Sequence, residues 1–321
     1  MKKINIILLV IITITSQAQV PVAYAINNPK DATNFLEAYL SPLGEGLANG
    51  LNNGWYNTAK PHKLGGFDIT LTINNVIIPN QKQSFNPNKI NNFKSSVNST
   101  PTILGKGEGA IIEYEGEEFK MPQQSTAISF VPIPALNIGL GLIKKTEINA
   151  RYIPKYNYQA GFIGNGSINL WGAGIKHDLL QWLPFLGDAI PIDVSLQIAH
   201  TNLNTGFDIE SNGVKQNVNL NINATTINLI ASKKILMITG HASLGYNNSN
   251  TNFKGNTNFK LGDGGNSLLF DVPLDMNFKP NNEFKANIGA RFNIAIVALQ
   301  ANYTFTKNYS IGTIGIGVSI R

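Results

Sequence analysis

The sequence predicts an all-β protein: a transmembrane antiparallel β-barrel of about 14 strands with a short helical N-terminal plug or cap. Three observations lead there. Side chains alternate with period two up to the C-terminus, with Phe284, Ala286, Ile288, Ala290, Phe292 and Ile294 on one face and Lys285, Asn287, Gly289, Arg291 and Asn293 on the other. Charged residues make up only 14% of the chain, where a water-soluble domain carries about 25%. Beyond the N-terminal region no apolar run approaches the roughly eighteen residues of a helical span. The same pattern fits a soluble β-sandwich. The barrel explains more of it, because lipid-facing and lumen-facing residues must alternate over segments joined by short turns on one side and longer loops on the other.

Met1–Ala18 reads as a signal peptide: Lys2 and Lys3 precede the apolar run Ile6–Ile14, and Ser16 and Ala18 place small residues ahead of a cleavage point before Gln19. That run is too short to cross about 30 Å as a helix. There is no cysteine, so neither a lipid-anchored lipoprotein nor disulfide support is expected. Removing two lysines takes the formal charge from +6 to +4, and the remaining cations are scattered, which argues against nucleic acid as a partner.

Residues 19–61 form the plug or cap segment, and 62–321 the barrel. Asn28-Pro29 has the form of an N-cap followed by proline at the first helical position, and Ala32, Phe35, Leu36 and Tyr39 follow at helical spacing. Pro42 is expected to end that helix, with Gly44, Gly46, Gly50 and Gly54 interrupting any regular structure beyond it. The helix either caps the bottom of the barrel or enters the lumen as a plug, with Phe35, Leu36, Tyr39 and Trp55 as candidate plug residues.

From Gly66 the strands can be counted. Phe67, Ile69, Leu71 and Ile73 oppose Asp68, Thr70 and Thr72, and a polar stretch from Ile78 to Lys106 then reads as an external loop. Weaker strands are expected near Gly107–Tyr114 and Ser125–Val131. Leu136–Ile143 and Thr146–Ile153 form a hairpin about Lys144-Lys145, with Leu136, Ile138 and Leu140 outward. Then come Gly166–Ile175, Ile190–His200, Gln216–Leu229, Ile235–Tyr246, Asn250–Lys260, Ser267–Phe278 and three C-terminal strands. With short turns at Lys144-Lys145, Ser232–Lys234 and Ala295 in the periplasm, both termini are expected there. Ile314, Ile316, Val318 and Ile320 are expected to close onto Phe67, Ile69 and Leu71.

The inward parity gives Asp68, Asn137, Glu147, Arg151, Asp193, Gln197, Asn219, Lys285, Arg291 and Gln300 as candidate lumen-lining residues, which could line a water channel or knit a filled barrel. The connection Lys176–Leu186 is too apolar for a solvent loop. It reads as a helical turn at the membrane interface, with Leu179, Trp182 and Leu183 at headgroup depth, or as a contact for a partner. His177 beside Asp178 has no nucleophile in a recognisable context, and the four histidines have no metal spacing. Glu113, Glu115, Glu117 and Glu118 read as a charged hairpin rather than an ordered calcium cage. No catalytic residue, metal site or cofactor is expected, and the chain does not read as an enzyme.

The stretch PALNIGLGLIKKTEINARYIP (134–154), the segment GAGIKHDLLQWLPFL (172–186) and the last strands resemble an uncharacterised family of outer-membrane proteins from Bacteroidota. In layout they are similar to the long-chain fatty-acid transporter group, which includes non-transporting barrels attached to a protein-secretion channel. The resemblance implies fourteen strands, an N-terminal segment folded into the lumen, and a position in the cell outer membrane among lipid and lipopolysaccharide. It implies either passive passage of a small hydrophobic or amphipathic molecule, or a non-catalytic partner or scaffold role beside other outer-membrane or periplasmic proteins. A soluble sandwich for adhesion or glycan binding is the third expectation.

Overall fold

Ten strands close the barrel, in a simple up-and-down order: β1 (Phe67–Ile77), β2 (Phe130–Leu142), β3 (Thr146–Ala160), β4 (Gly164–Asp178), β5 (Asp193–Ser211), β6 (Val214–Ile235), β7 (Ile238–Gly255), β8 (Asn281–Ile294), β9 (Val297–Thr306) and β10 (Ser310–Ile320). The computed structural model describes residues 28–320 except 122, 124, 161–163, 184–190, 212–213, 256–258, 262–267, 271–273 and 279–280. The predicted signal peptide and residues 184–186 of the interfacial segment lie outside the described residues. Each strand pairs with its chain neighbour, and β10 closes onto β1 in the expected register, Phe67 opposite Ile320, Ile69 opposite Val318 and Leu71 opposite Ile316. Closure leaves no open edge in the ring, which a sheet in lipid requires.

The count is ten rather than about fourteen, for two reasons. Ser125–Val131 is no separate strand, since only its last two residues, Phe130 and Val131, are extended and they begin β2, which also holds Leu136–Leu142. Ile235–Tyr246 and Asn250–Lys260 belong largely to one strand, β7, along which a change of polarity suggests two. Ile111–Tyr114 is no barrel strand but pairs with Phe93–Lys94 and Glu117–Lys120 in a small external sheet. Leu274–Asn277 adds an eleventh strand to the outer half of β7 only.

Short turns gather at one end. Lys144 and Lys145 both take positive φ, 53° and 45°, the backbone of a tight primed hairpin turn. Leu236-Met237 and Ala295-Ile296 make the other two turns at this end, where Ile320 also lies. At the opposite end β3 to β7 rise high, and residues 78–129 fold as an insertion between β1 and β2.

Polarity along the wall inverts with height. Near the short turns the outside is apolar, with Ile138, Ile175, Leu229, Leu244, Ile288 and Ile316 exposed, and the inside holds Asp68, Thr70, Gln197, Asn228, Lys285 and Arg291. Toward the long loops the sides exchange: Val76, Val131, Leu203, Leu220, Ile222 and Phe253 are buried inside, while Asn204, Asn223, Asn248 and Asn250 face out. An apolar outer belt suits lipid, and a polar outer surface above it suits water.

The helix α1 (Pro29–Leu51) fills the upper lumen. Its N-cap Asn28 accepts from the Lys30 amide at 2.9 Å, and Pro29 sits where no intrahelical N–H is needed. The helix does not end at Pro42 but runs through it for nine more residues, to Leu51. Packing on all sides outweighs the lost backbone bond: Phe35, Leu36, Tyr39, Leu40 and Leu51 are buried against the inner wall and the insertion. Phe35 stacks on Phe93 at 4.7 Å and meets Phe85 and Phe119 edge-on, so the insertion lies on the helix as a lid of the same core. Gly50 permits closest approach; a Cβ there would stand 2.0 Å from Cδ1 of Ile133 in β2.

Candidate functional site

A lumen closed by its own chain is the site the fold builds. Beyond Leu51 the chain turns at Gly54, whose φ of +70° suits glycine and whose Cβ would sit 2.7 Å from Asn74 Oδ1. Residues 52–63 then descend through the polar half of the barrel as an irregular strap. Backbone without secondary structure must find other partners, and the barrel wall supplies them. Arg151 of β3 donates from Nη1 to Leu51 O at 2.7 Å, from Nε to Asn137 Oδ1 at 2.5 Å, and from Nη2 to Asn53 O. Lys285 of β8 donates to Asn52 O at 2.8 Å, and Asn74 of β1 to Gly50 O at 3.1 Å. These carbonyls belong to or follow the last turn of α1. The helix has no basic residue in that turn, so the wall provides the cations that its negative end favours.

The contacts continue downward. Gln197 Nε2 donates to Trp55 O at 3.1 Å, Arg291 Nη1 to Asn57 Oδ1 at 2.6 Å, and Ser195 Oγ to Ala59 O at 2.5 Å. Trp55 lies beneath the Arg151 guanidinium, 3.9 Å from ring centre to Cζ. At the foot, His62 donates its backbone N–H to Glu147 Oε2 at 2.9 Å, its Nδ1 lies 2.8 Å from the same oxygen, and its Nε2 lies 3.1 Å from Ser319 Oγ. The other Glu147 oxygen meets Lys176 Nζ at 2.9 Å. Hydroxyl, imidazole and carboxylate in that order resemble an acyl-transfer relay. Here the histidine and serine are covered, and the carboxylate is shared with a buried lysine and a backbone amide. The group is a clasp that fixes the end of the strap.

Of the residues expected in the lumen, Asp68, Asn137, Glu147, Arg151, Gln197, Lys285, Arg291 and Gln300 are buried on the inner face. Asp193 is half-buried at the rim, 3.8 Å from Lys60 Nζ. Asn219 is a correction: it is exposed on the outer face, while its neighbours Leu220 and Ile222 point inward. β6 has 22 residues and rises beyond the lipid belt, where the inner wall meets the helix and the outer wall meets water. Phe35, Leu36, Tyr39 and Trp55 are all buried within the barrel. Leu180–Trp182 forms one turn of 3-10 helix at the short-turn end; Trp182 and Leu183 are exposed and Leu179 half-buried. Trp182 Nε1 donates to His177 Nε2 at 2.8 Å, which sets the indole orientation. Lys176 is a correction: expected as the first residue of the interfacial connection, it lies in β4 and faces the lumen, where it and His62 join the site. The parity of Trp171, Ala173 and Ile175 already puts Lys176 inward, whereas no spacing signals His62, whose partners depend on the path of the strap.

Two further features lie at the long-loop end. Tyr309, in the turn between β9 and β10, is buried and donates to Glu45 Oε2 at 2.8 Å; burial, then the Glu45 charge, pushes its phenol far above the usual range, so it remains a donor. A cavity of about 400 Å³ lies between Glu37, Ser41 and Glu45 of α1 and Ser249, Thr251 and Phe278 of the wall. Among the described residues no group of His, Asp or Glu side chains is placed to hold a metal ion.

These features define a class: an outer-membrane-type β-barrel whose lumen is occupied by its own N-terminal segment. A family model described as "Family of unknown function (DUF6588)" matches residues 1–320, and the chain belongs to that family. No curated protein matches it in sequence. Among solved structures it is similar to the translocator domain of autotransporter NalP from Neisseria meningitidis, at 11% identity over 90% of this chain and 98% of that one, with a TM-score of 0.37. It is similar also to the outer membrane protease OmpT from Escherichia coli, at 10% identity over 79% and 96% of the two chains and a TM-score of 0.36. The Ralstonia pickettii toluene transporter TbuX matches at 7% identity over 85% and 96%, with a TM-score of 0.28. Nothing about the activity of this chain rests on these likenesses.

Proposed function

We propose that this protein is a non-catalytic outer-membrane barrel, closed at rest by its N-terminal segment, that serves as a partner or scaffold subunit of a membrane protein complex rather than as an open passage. The observation that carries this reading is the strap. Ten of its carbonyl and amide groups or those of the adjoining helix end, from Gly50 to Ala59, are held by wall side chains, and its foot is clasped by Glu147. On this reading the short turns and Ile320 face the periplasm and the insertion faces outward. The first described residue, Asn28, then lies near the outer end, away from Ile320, because α1 begins beside the insertion, where Asn92 Nδ2 donates to Asp31 at 2.7 Å.

The test is flux through proteoliposomes of the full chain. Fatty-acid and small-solute entry should equal that of empty liposomes, and a stable protein partner should co-purify from the native membrane; flux well above the empty control sinks the reading. A second reading, a gated passage for small amphipathic molecules, draws on the cavity beside α1. It predicts flux that disappears when a disulfide between cysteines at Gly44 and Thr251 locks the helix to β7, positions where a Cβ and the threonine methyl would be 3.1 Å apart.

A further inference from the structure

The outer wall of β5, β6 and β7 changes character within one residue pair. On β6 the outward series reads Leu229, Ile227, then Thr225, Asn223, Asn221; on β7 it reads Leu244, Tyr246, then Asn248, Asn250, Asn252. The two changes are level, since Ile227 pairs with Tyr246 and Thr225 with Asn248. On β4 Trp171 stands at the boundary, directly opposite Asn202 of β5. Tyrosine and tryptophan at that height mark the edge of the lipid belt. The amide face therefore begins where the hydrocarbon ends.

Four of these amides form a closed ring across β5 and β6. Asn202 donates to Asn223 at 2.8 Å, Asn223 to Asn221 at 2.9 Å, Asn221 to Asn204, and Asn204 to Asn202 at 2.6 Å. Each primary amide has two N–H donors and two acceptor lone pairs. The ring uses one of each and leaves the rest facing out, fixed in direction by its own bonds. On the neighbouring strands Asn248 donates to Asn282 at 2.6 Å, and Lys254 is neutralised by Asp275 at 3.0 Å.

We propose that this amide face is a binding surface for neutral sugar units of the outer-leaflet glycolipid. This rests on the outer-membrane placement given above. A sugar hydroxyl both donates and accepts, as a preoriented amide does, so paired contacts follow without charge. A protein partner would need an apolar or aromatic centre to its interface, and the ring has none. A phosphate would need a cluster of unpaired Lys or Arg; the ring carries no charge, and of the two lysines that line the cleft beside Asn204 and Asn221, Lys254 is paired with Asp275, which leaves Lys155. The glycolipid reaches this height by necessity, because its acyl chains lie along Ile227, Leu229 and Leu244 just below.

The test uses the full chain in nanodiscs of phosphatidylethanolamine and phosphatidylglycerol, with rough lipopolysaccharide bearing core sugars or with lipid A lacking them, and native mass spectrometry of the glycolipid retained. The variants are the exposed triple Asn202→Ser, Asn221→Ser, Asn223→Ser and the milder Asn221→Ser. The wild-type chain should retain the core-bearing form about tenfold better than lipid A, the size of one to two net hydrogen bonds, and the triple variant should lose that preference. Equal retention of both glycolipids by the wild type, or an undiminished preference in a triple variant that keeps heat-modifiable gel mobility, overturns the proposal. A wild-type chain that shows no heat-modifiable mobility and does not enter the nanodisc overturns the membrane reading as well. Self-association lost in the variant would make the occupant a second copy and likewise overturn it.

Discussion

Replacing Arg151 by methionine should free the strap without unfolding the barrel. The guanidinium is 1% exposed and makes three hydrogen bonds, to Leu51 O, Asn53 O and Asn137 Oδ1, besides covering the Trp55 ring. A hydrogen bond to a charged group contributes about 1.5–3 kcal/mol, and the stacked cation about 1 kcal/mol more. Methionine fills much of the volume, and water entering the polar lumen re-solvates the three acceptors, so the net loss is about 2–4 kcal/mol. None of the backbone pairs of β3 uses the side chain, so the loss falls on the strap and the end of α1. At about 1.4 kcal/mol per decade, local opening should rise roughly 30- to 700-fold. Amide exchange at Asn52 and Asn53, whose N–H groups bond to Ala48 O and Gly50 O, reads this directly, with β9 amides as the control. A change of less than about threefold at those two amides would refute the claim that Arg151 anchors the strap.

Three other outcomes follow from the same contacts. Glu147→Gln leaves Lys176, 2% exposed, without its counter-charge and loosens His62; stability in urea should fall by about 3–5 kcal/mol, and adding Lys176→Met should restore most of it. Gly50→Ala drives a methyl to 2.0 Å from Ile133 Cδ1 and should cost about 1–3 kcal/mol by thermal melting, since only the flexible end of that isoleucine can yield. Leu229→Arg should cost about 2–4 kcal/mol when folding into lipid vesicles is measured, while Asn221→Arg, eight residues along the same face of β6, should change stability by less than about 0.5 kcal/mol.

Strand parity was readable wherever one strand face meets lipid. The lower parts of β1 and β10 and the whole of β8 alternate cleanly, and their outward sets and the closure of β10 on β1 follow from period two. β6 misled because alternation has no absolute sign. Asn219, Asn221 and Asn223 alternate with Leu220 and Ile222 as cleanly as any lumen face alternates with lipid, and only the height along the strand decides which side is which. Height is a tertiary fact, set by β6 being 22 residues long and by α1 standing inside it. The same reversal divided β7 in two and raised the strand count. The strap was illegible for a different cause. Its bonds run largely from backbone carbonyls to side chains 21 to 233 residues away, and a carbonyl has no signature in sequence.

The reversal of polarity also decides how the helix should be regarded. If α1 were only a lid over a channel, the wall behind it would be wet, as the lower lumen is. Instead Val131, Leu203, Leu220, Ile222 and Phe253 line that wall, and Phe35, Leu36, Tyr39, Leu40 and Leu51 complete a single core with them. Fully exposing five such helix side chains forfeits about 1.5–3 kcal/mol each, or roughly 7–15 kcal/mol before the strap is counted. Thermal motion at that energy opens the helix in fewer than about one molecule in 100,000. Passage would therefore need a partner that covers the bared wall. The same requirement makes the upper rim, where α1 meets the insertion, the place at which another protein could change the state of this one.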